Sequence, residues 1–273
     1  MTLKQAIVQF TPPRVIHLGK WIADSDYRHK SRHLSRLKKL PRYQVATTEI
    51  LGKPIEIADS KSFLWMYDEI FEREIYSFRA RVEAPYIIDC GANIGLSVLY
   101  FKRLYPQSRV VAFEPDQKIF DILNRNIQNS GYGSVDLHRC AVWTSETNLS
   151  FMREGADGGR LAGPGDSNDV LVPTVRLRDY LSQPVDFLKL DIEGAEVDVL
   201  ADCANELQNV DTLFVEYHSF AERPQRIDEL TTILTEAGYR LHIHPPVTSP
   251  QPFMRREVLG GMDMQLNVFA FRQ

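Results

Sequence analysis

The run Tyr86-Ile-Ile-Asp-Cys-Gly-Ala-Asn-Ile-Gly95, followed by Leu-Ser-Val-Leu-Tyr-Phe-Lys-Arg, narrows the possible folds of this chain more than any other stretch. The apolar residues Tyr86 to Ile88 read as a buried strand that ends in Asp89. Gly91 and Gly95 then mark a tight turn, and Leu96, Leu99, Tyr100 and Leu104 recur at helical spacing. Strand, glycine turn and helix N-terminus in this order form a cradle for a ligand at the carboxyl end of a parallel strand. Glycine serves where the backbone takes positive φ or must approach a ligand closely. An ordinary tight βα turn uses the same residues, so the ligand has to be argued from spacing.

A nicotinamide site carries G-x-G-x-x-G. Here the pattern is Asp89-x-Gly91-x-Asn93-x-Gly95, with an acid ahead of the first glycine and no third glycine in register. Such an acid repels pyrophosphate and suits a cation, such as the ammonium and sulfonium of S-adenosylmethionine. Glu114 ends the next apolar run, Val110 to Glu114, where an acid hydrogen-bonds ribose hydroxyls in these folds. Capping the helix that Pro115 and Asp116 begin is the competing role for Glu114. Together the two acids favour the cofactor reading.

From Tyr86 onward strands and helices alternate, which predicts a mostly parallel sheet covered on both faces. Strands are expected at 86–90, 109–114, 135–139, 187–191 and 211–217, with helices near 95–105, 117–129, 196–208 and 225–237. The segment from Arg153 to Asp169, rich in Gly, Asp, Ser and Pro, interrupts strand-like runs at 149–152 and 170–174. It reads as a lid over the site, and a plain surface insertion fits the same composition. After Gly238, a strand at 239–244 and a closing strand at 264–271 are joined by a Pro-rich loop without a helix, so they must pair antiparallel. That ending departs from the six-stranded dinucleotide fold and matches the seven-stranded sheet of S-adenosylmethionine methyltransferases. The expected fold class is therefore α/β, a class I methyltransferase (Rossmann-like) seven-stranded mostly parallel sheet with an antiparallel final strand and a helical N-terminal extension.

With 273 residues, 44% of them hydrophobic, the chain can bury one large domain, read as 61–273, preceded by a basic extension at 1–60. Between Arg28 and Arg42 stand seven Lys or Arg, two His and no acid, with Leu34, Leu37 and Leu40 at helical spacing. A solvated helix face is preferred there over a helix that meets a membrane or an anionic partner, because its apolar side is short. A strand and turn are expected at 53–59 and a helix at 62–75, with Glu72, Glu74 and Tyr76 either bordering the substrate opening or simply packing. The net charge of −4 gives no pull towards nucleic acid. No apolar run is long enough for a membrane span and the start lacks signal-peptide order, so a cytoplasmic protein is expected. Cys90, Cys140 and Cys203 lack C-x-x-C spacing, which points to a reducing compartment and away from a structural zinc site.

The second informative stretch is Val185-Asp-Phe-Leu-Lys-Leu-Asp-Ile-Glu-Gly-Ala-Glu-Val197. A buried strand ends in Asp191 beside the strand carrying Asp89, at the sheet edge where ligands bind. Lys189 shares a face with Asp191 and, in so apolar a strand, needs a carboxylate partner. The next strand ends Phe214-Val-Glu216-Tyr-His218, so Asp191, Glu193, Glu216 and His218 converge, with Lys189, as the catalytic set. Methyl transfer to oxygen requires a positioned alcohol that loses its proton to a base. His218 is that base on intrinsic pKa, oriented by a nearby acid, and a satisfied strand-end histidine is the alternative. Asp191 and Glu193 are the metal ligands if a divalent ion polarises the alcohol, but the metal-free reading is preferred. Glu196 reads as a favourable acid in a first helical turn.

The chain resembles the FkbM-type family of S-adenosylmethionine-dependent methyltransferases. The matching residues are Ile88-Asp-Cys-Gly-Ala-Asn-Ile-Gly95, Phe113-Glu-Pro-Asp116, Asn124-x-Asn126, Ala141-Val142, Leu188-Lys-Leu-Asp-Ile-Glu-Gly-Ala-Glu196 and Glu216-x-His218. The resemblance, from about Tyr67 to Phe271, implies a class I fold and O-methylation of hydroxyls on sugars, glycolipids or polyketide-type natural products. It implies a cofactor-binding set of Asp89, Gly91, Ala92, Asn93, Gly95, Glu114, Pro115, Ala141 and Asp191. An N-methyltransferase of the same fold would carry Asn/Asp-Pro-Pro-Tyr where Asp191-Ile-Glu-Gly194 stands. A non-catalytic cofactor-binding or partner-docking protein would not need acids at both strand ends. The expected partner is a small-molecule or glycan hydroxyl.

Overall fold

A computed structural model describes residues 24–156, 158–161, 169–249, 251–255 and 258–272. Helix α1 (Ser25–Leu37) starts earlier than the basic run suggests, because the Asp24 carboxylate accepts the Asp26 and Tyr27 amides at 2.9 and 3.0 Å. Three basic residues of this largely exposed helix also reach the body: Lys30 pairs with Glu72, Arg36 donates to the Thr47 carbonyl, and His33 Nδ1 meets Thr48 Oγ1 at 2.9 Å. Strand β1 (Ala46–Thr48), which carries no apolar alternation, pairs antiparallel with β2 (Ile55–Ile57). Helix α2 (Ser60–Tyr67), capped by Asp59, passes into a π-helical turn at Asp68–Glu72. The helix expected over 62–75 is thus broken in two, and π turns of this kind recur at functional sites.

The rest follows the alternation. β3 (Tyr86–Cys90), α3 (Leu96–Leu104), β4 (Arg109–Phe113), α4 (Gln117–Ser130) and β5 (Val135–His138) come first. A second set of strands follows: β6 (Ala141–Trp143), β7 (Asn148–Met152), β8 (Arg160–Leu161) and β9 (Asp169–Arg176). The chain then returns through β10 (Val185–Leu190), α5 (Glu196–Asp202), β11 (Val210–Phe220), α6 (Ile227–Glu236), β12 (Arg240–His244) and β13 (Met262–Phe271). The main sheet has seven strands in the order β12-β13-β11-β10-β3-β4-β5. The run from β11 to β5 is parallel, and β13 lies antiparallel between β11 and β12. This is the class I methyltransferase sheet. The interrupted runs around 150 and 170 pair with each other and with β6 and β8 as a separate four-stranded sheet.

Two apolar cores cover the faces of the sheet. One joins Val111, Leu188, Leu200 and Leu230; the other joins Ile87, Phe101, Leu123 and Phe187 with Leu37, Ile55 and Phe63 from the N-terminal segment. Asn126 stitches that segment to the body, accepting the Glu56 amide at 2.8 Å and donating to the carbonyls of Glu56 and Ile94 at 2.9 Å. Two expected boundaries move. Helix α5 stops at Asp202 rather than near 208 and gives way to a 3-10 turn at Leu207–Asn209. Strand β11 runs on to Phe220 because β13 continues to pair with it, placing His218 inside the strand opposite Gln265. Among the described residues, no helix is long and apolar enough to cross a membrane.

Candidate active site

A cavity of about 920 Å³ opens at the carboxyl ends of β3, β4, β10 and β11, within the range of small-ligand sites. Its far walls are the α2–π turn segment and the stretch from Phe151 to Leu161. Part of the expected lid over 153–169 therefore faces the cavity, while residues 157 and 162–168 lie outside the described residues. This stretch is held from two sides: Asn93 Nδ2 donates to the Ala156 carbonyl at 2.9 Å, and the Tyr43 hydroxyl donates to Glu154.

One half of the cavity is formed by the two strand-to-helix turns. Gly91 sits at φ +84°, and a Cβ there would stand 1.9 Å from the Asp191 carbonyl oxygen. Its glycine is demanded by the approach of β3 to β10, not by a ligand. The Glu114 carboxylate accepts the Asn93 amide at 3.0 Å and the Asp116 amide at 2.8 Å, so its position is fixed while its free lone pairs face the cavity. Burial pushes its pKa from 4.5 up to about 8. The cap on α4 is Asp116, which accepts the Lys118 and Ile119 amides. Gly91, Ala92, Asn93, Glu114, Pro115, Ala141 and Asp191 all line this cavity.

Asp89 and Gly95 do not. Asp89 is fully buried, accepts from Ser97 Oγ and stands 3.4 Å from Lys189 Nζ. Gly95, at φ +91°, is the N-cap of α3, and a Cβ there would stand 2.6 Å from Leu123 Cδ1. Both stand behind the turn, next to the cavity wall rather than in it. Lys189, by contrast, lines the cavity. Its ammonium lies 3.1 Å from Asp191 and donates to the Gly91 carbonyl at 2.9 Å, joining β10 to the β3 turn. Burial disfavours that charge, but Asp191 and Asp89 outweigh it and hold the pKa well above the usual lysine value.

The other half of the cavity is acidic. Asp191, Glu193 and Glu216 line it together with Glu69, Tyr76 and Gln265. Burial, reinforced by Asp191, raises the Glu216 carboxyl well above the usual range, and Gln265 donates to it. Burial likewise raises Glu69. Tyr76 borders the opening as considered, whereas Glu72 and Glu74 do not line it. Glu69 and Trp65 escaped the sequence reading because the π turn, not helical periodicity, turns that segment towards the sheet.

His218 stands behind this wall, its side chain 1% exposed. Its Nδ1 donates to Glu196 at 2.9 Å, and its Nε2 lies 3.7 Å from Glu193. Burial works against a charged ring, yet Glu193 and Glu196 prevail and hold its pKa well above the ordinary value. The ring does not itself line the cavity and meets it through Glu193. Asp191, Glu193 and His218 each bring one potential ligand atom within 4.8 Å of the others, a spacing compatible with a cation. Glu196 is far more than a helix-turn acid: 1% exposed, it also accepts the Ile192 and Gly194 amides at 3.2 and 3.0 Å.

Residues 89–241 match the methyltransferase FkbM domain. The chain is similar to Methyltransferase 1 of Beauveria bassiana, 27% identical over 213 residues that span 68% of this chain and 84% of that protein. It is also similar to the 2-O-methyltransferase NoeI of Sinorhizobium fredii, 25% identical over 170 residues, 53% of this chain and 68% of that one. Among solved structures, a methyltransferase FkbM from Methylobacillus flagellatus KT shares the fold, with a TM-score of 0.50 and 18% identity, covering 75% of this chain and 48% of that chain.

Proposed function

Because this chain belongs to the methyltransferase FkbM domain family, we propose that it transfers a methyl group from S-adenosylmethionine to a hydroxyl of a sugar, glycolipid or polyketide-type natural product. The observation that carries this reading is the joining, in one cavity, of the Gly91–Asn93 turn and Glu114 with the acidic wall of Asp191, Glu193 and Glu216. The name of the Sinorhizobium relative, a 2-O-methyltransferase, supports oxygen as the acceptor atom. The reading assigns residues 61–273 to the catalytic domain and 1–60 to an extension.

These residues suit the cofactor chemically. Glu114 offers carboxylate oxygens to the ribose hydroxyls, Pro115 and Ala141 give apolar walls beside it, and Asp191 answers the ammonium. When bound, the cofactor supplies an electrophilic sulfonium methyl. On the acidic wall, Glu216 would hold the acceptor and Glu193 would take up its hydroxyl proton. His218, whose Nε2 lies 3.7 Å from Glu193, stands behind that carboxylate. The base is therefore a histidine–carboxylate pair in which the carboxylate touches substrate.

Two outcomes test this reading. Glu114 must be ionised to accept two ribose donors, and its pKa of about 8 keeps it largely protonated in the free protein at pH 7. Affinity for S-adenosylhomocysteine should therefore rise as pH increases through about 8. In Glu114→Gln, calorimetry should show binding weaker by roughly tenfold or more and without that slope. The same raised pKa makes the stability of the free protein decline as pH rises from 4.5 through about 8, and the Gln variant should lose this decline.

The second outcome concerns metal. Lys189 beside Asp191 and the charged His218 beside Glu193 already supply positive charge to the cluster that could hold a cation. With methyl-labelled donor and a panel of sugars and polyketide alcohols, label should appear as a methyl ether at the same rate with and without EDTA. Transfer to an amine, or loss of turnover in EDTA that added Mg²⁺ restores, would contradict it.

A further inference from the structure

We infer that Glu196 is a positioning residue: from behind the cavity it holds both the turn that carries Asp191 and Glu193 and the ring of His218. Three donors from two separate segments converge on this single buried carboxylate, the amides of Ile192 and Gly194 and the Nδ1 of His218. The turn does not hold itself. Glu193 at φ +56° and Gly194 at φ +99° are consecutive left-handed residues, and a non-glycine residue keeps that conformation only when its surroundings impose it. On one side the imposing group is Phe220, whose ring lies 2.6 Å from where a Cβ on Gly194 would be; on the other it is Glu196.

The effect on His218 is equally specific. With Nδ1 engaged by Glu196, the nitrogen left to face Glu193 is Nε2, and the ring plane is set by a bond from the core side. The charged or titratable groups facing the ring are Glu193 from the turn, Glu196 from α5 and Glu216 from β11, while its β13 neighbour Gln265 is neutral. Of these acids, Glu196 alone makes a hydrogen bond to the ring among the described contacts. Glu196 therefore acts on Glu193 indirectly, by fixing the ring that stands beside it. This catalytic consequence rests on the proposed methyl transfer; the positioning role itself does not.

Three variants of the full chain separate these claims: Glu196→Gln, Glu196→Ala and, for assignment, His218→Asn. The readouts are imidazole ¹⁵N NMR across a pH titration and hydrogen exchange at the Ile192 and Gly194 amides. Neither needs donor or acceptor, so failure of the methyltransferase reading would leave them untouched. In the parent protein His218 should stay charged well above the ordinary midpoint of about 6.5. In Glu196→Gln the amide oxygen still accepts the turn amides, so their protection should persist while the His218 midpoint falls towards about 6.5. In Glu196→Ala both amides should lose protection by at least about tenfold as well. An unchanged His218 midpoint in Glu196→Gln overturns the inference, as does unchanged amide protection in Glu196→Ala. Where Glu196→Ala does not fold, Glu196→Gln decides alone. With an acceptor in hand, Glu196→Gln should displace the pH profile of methyl transfer while S-adenosylhomocysteine affinity stays within about twofold, about 0.4 kcal/mol, because the Gln oxygen still holds the turn.

Discussion

Replacing Lys189 with Met should destabilise the protein by about 3–5 kcal/mol, the usual result of removing one partner from a buried ion pair. The ammonium is 3% exposed and serves Asp89, itself fully buried, and Asp191 at once. Methionine fills similar volume, so the loss isolates the charge rather than a cavity. The sign with pH follows from the ammonium. The raised pKa of Lys189 means that its contribution is fully present below its unfolded value of about 10.4 and is lost only as pH climbs through the higher native value. The deficit should therefore stay level across neutral pH and shrink only at strongly alkaline pH. Urea unfolding at several pH values measures this directly. A Met variant within about 0.5 kcal/mol of the parent at pH 7 would show that the triad carries no structural load.

The second large effect is expected at Gly91. An alanine there would need its Cβ 1.9 Å from the Asp191 carbonyl oxygen while holding φ near +84°. The obstacle is backbone, not a side chain that can rotate away, and that backbone belongs to the strand pairing in which the Asp191 amide donates to the Cys90 carbonyl at 3.2 Å. Relief requires prising β3 and β10 apart at the very ends that support the cavity. Gly91→Ala should therefore lose more than about 3 kcal/mol of stability, or, where it folds, bind S-adenosylhomocysteine at least about a hundredfold more weakly. Gly133 is the control: a Cβ there would meet nothing within 4 Å and its φ is not positive, so its alanine variant should be nearly silent. Equal behaviour of the two variants would mean that close approach of the strands is not what requires glycine at Gly91.

Much of this architecture is legible in the sequence because the sheet's inner strands are short apolar runs punctuated by glycine and ended by acids. The Tyr86 to Cys90 strand is buried at every position, as a parallel strand covered on both faces must be. Elements whose form depends on a distant partner are not legible in that way. Strand β1 is Ala-Thr-Thr and exists because β2 pairs with it. The last residues of β11 stay extended because β13 accompanies them.

The site divides along the same line. Glu114, Asp191, Glu193 and Glu216 stand at or just after strand ends, where topology alone brings them together. Asp89 has the expected position in the chain but lies behind the cavity wall, paired with Lys189 one strand away, and spacing does not reveal that pairing. Glu196 is hidden more deeply still. Its role depends on His218, 22 residues further on, and on two left-handed residues that turn the Ile192 and Gly194 amides towards it. The one signal in the chain is an acid two residues after Gly194, which by itself points only to a helix start.

The measurement that tests the central claim most directly is calorimetric titration of the folded protein with S-adenosylmethionine and, separately, S-adenosylhomocysteine. Micromolar binding of both, with proton release near pH 7 from Glu114, is the predicted result. A folded sample that binds neither would contradict the methyltransferase reading of this cavity.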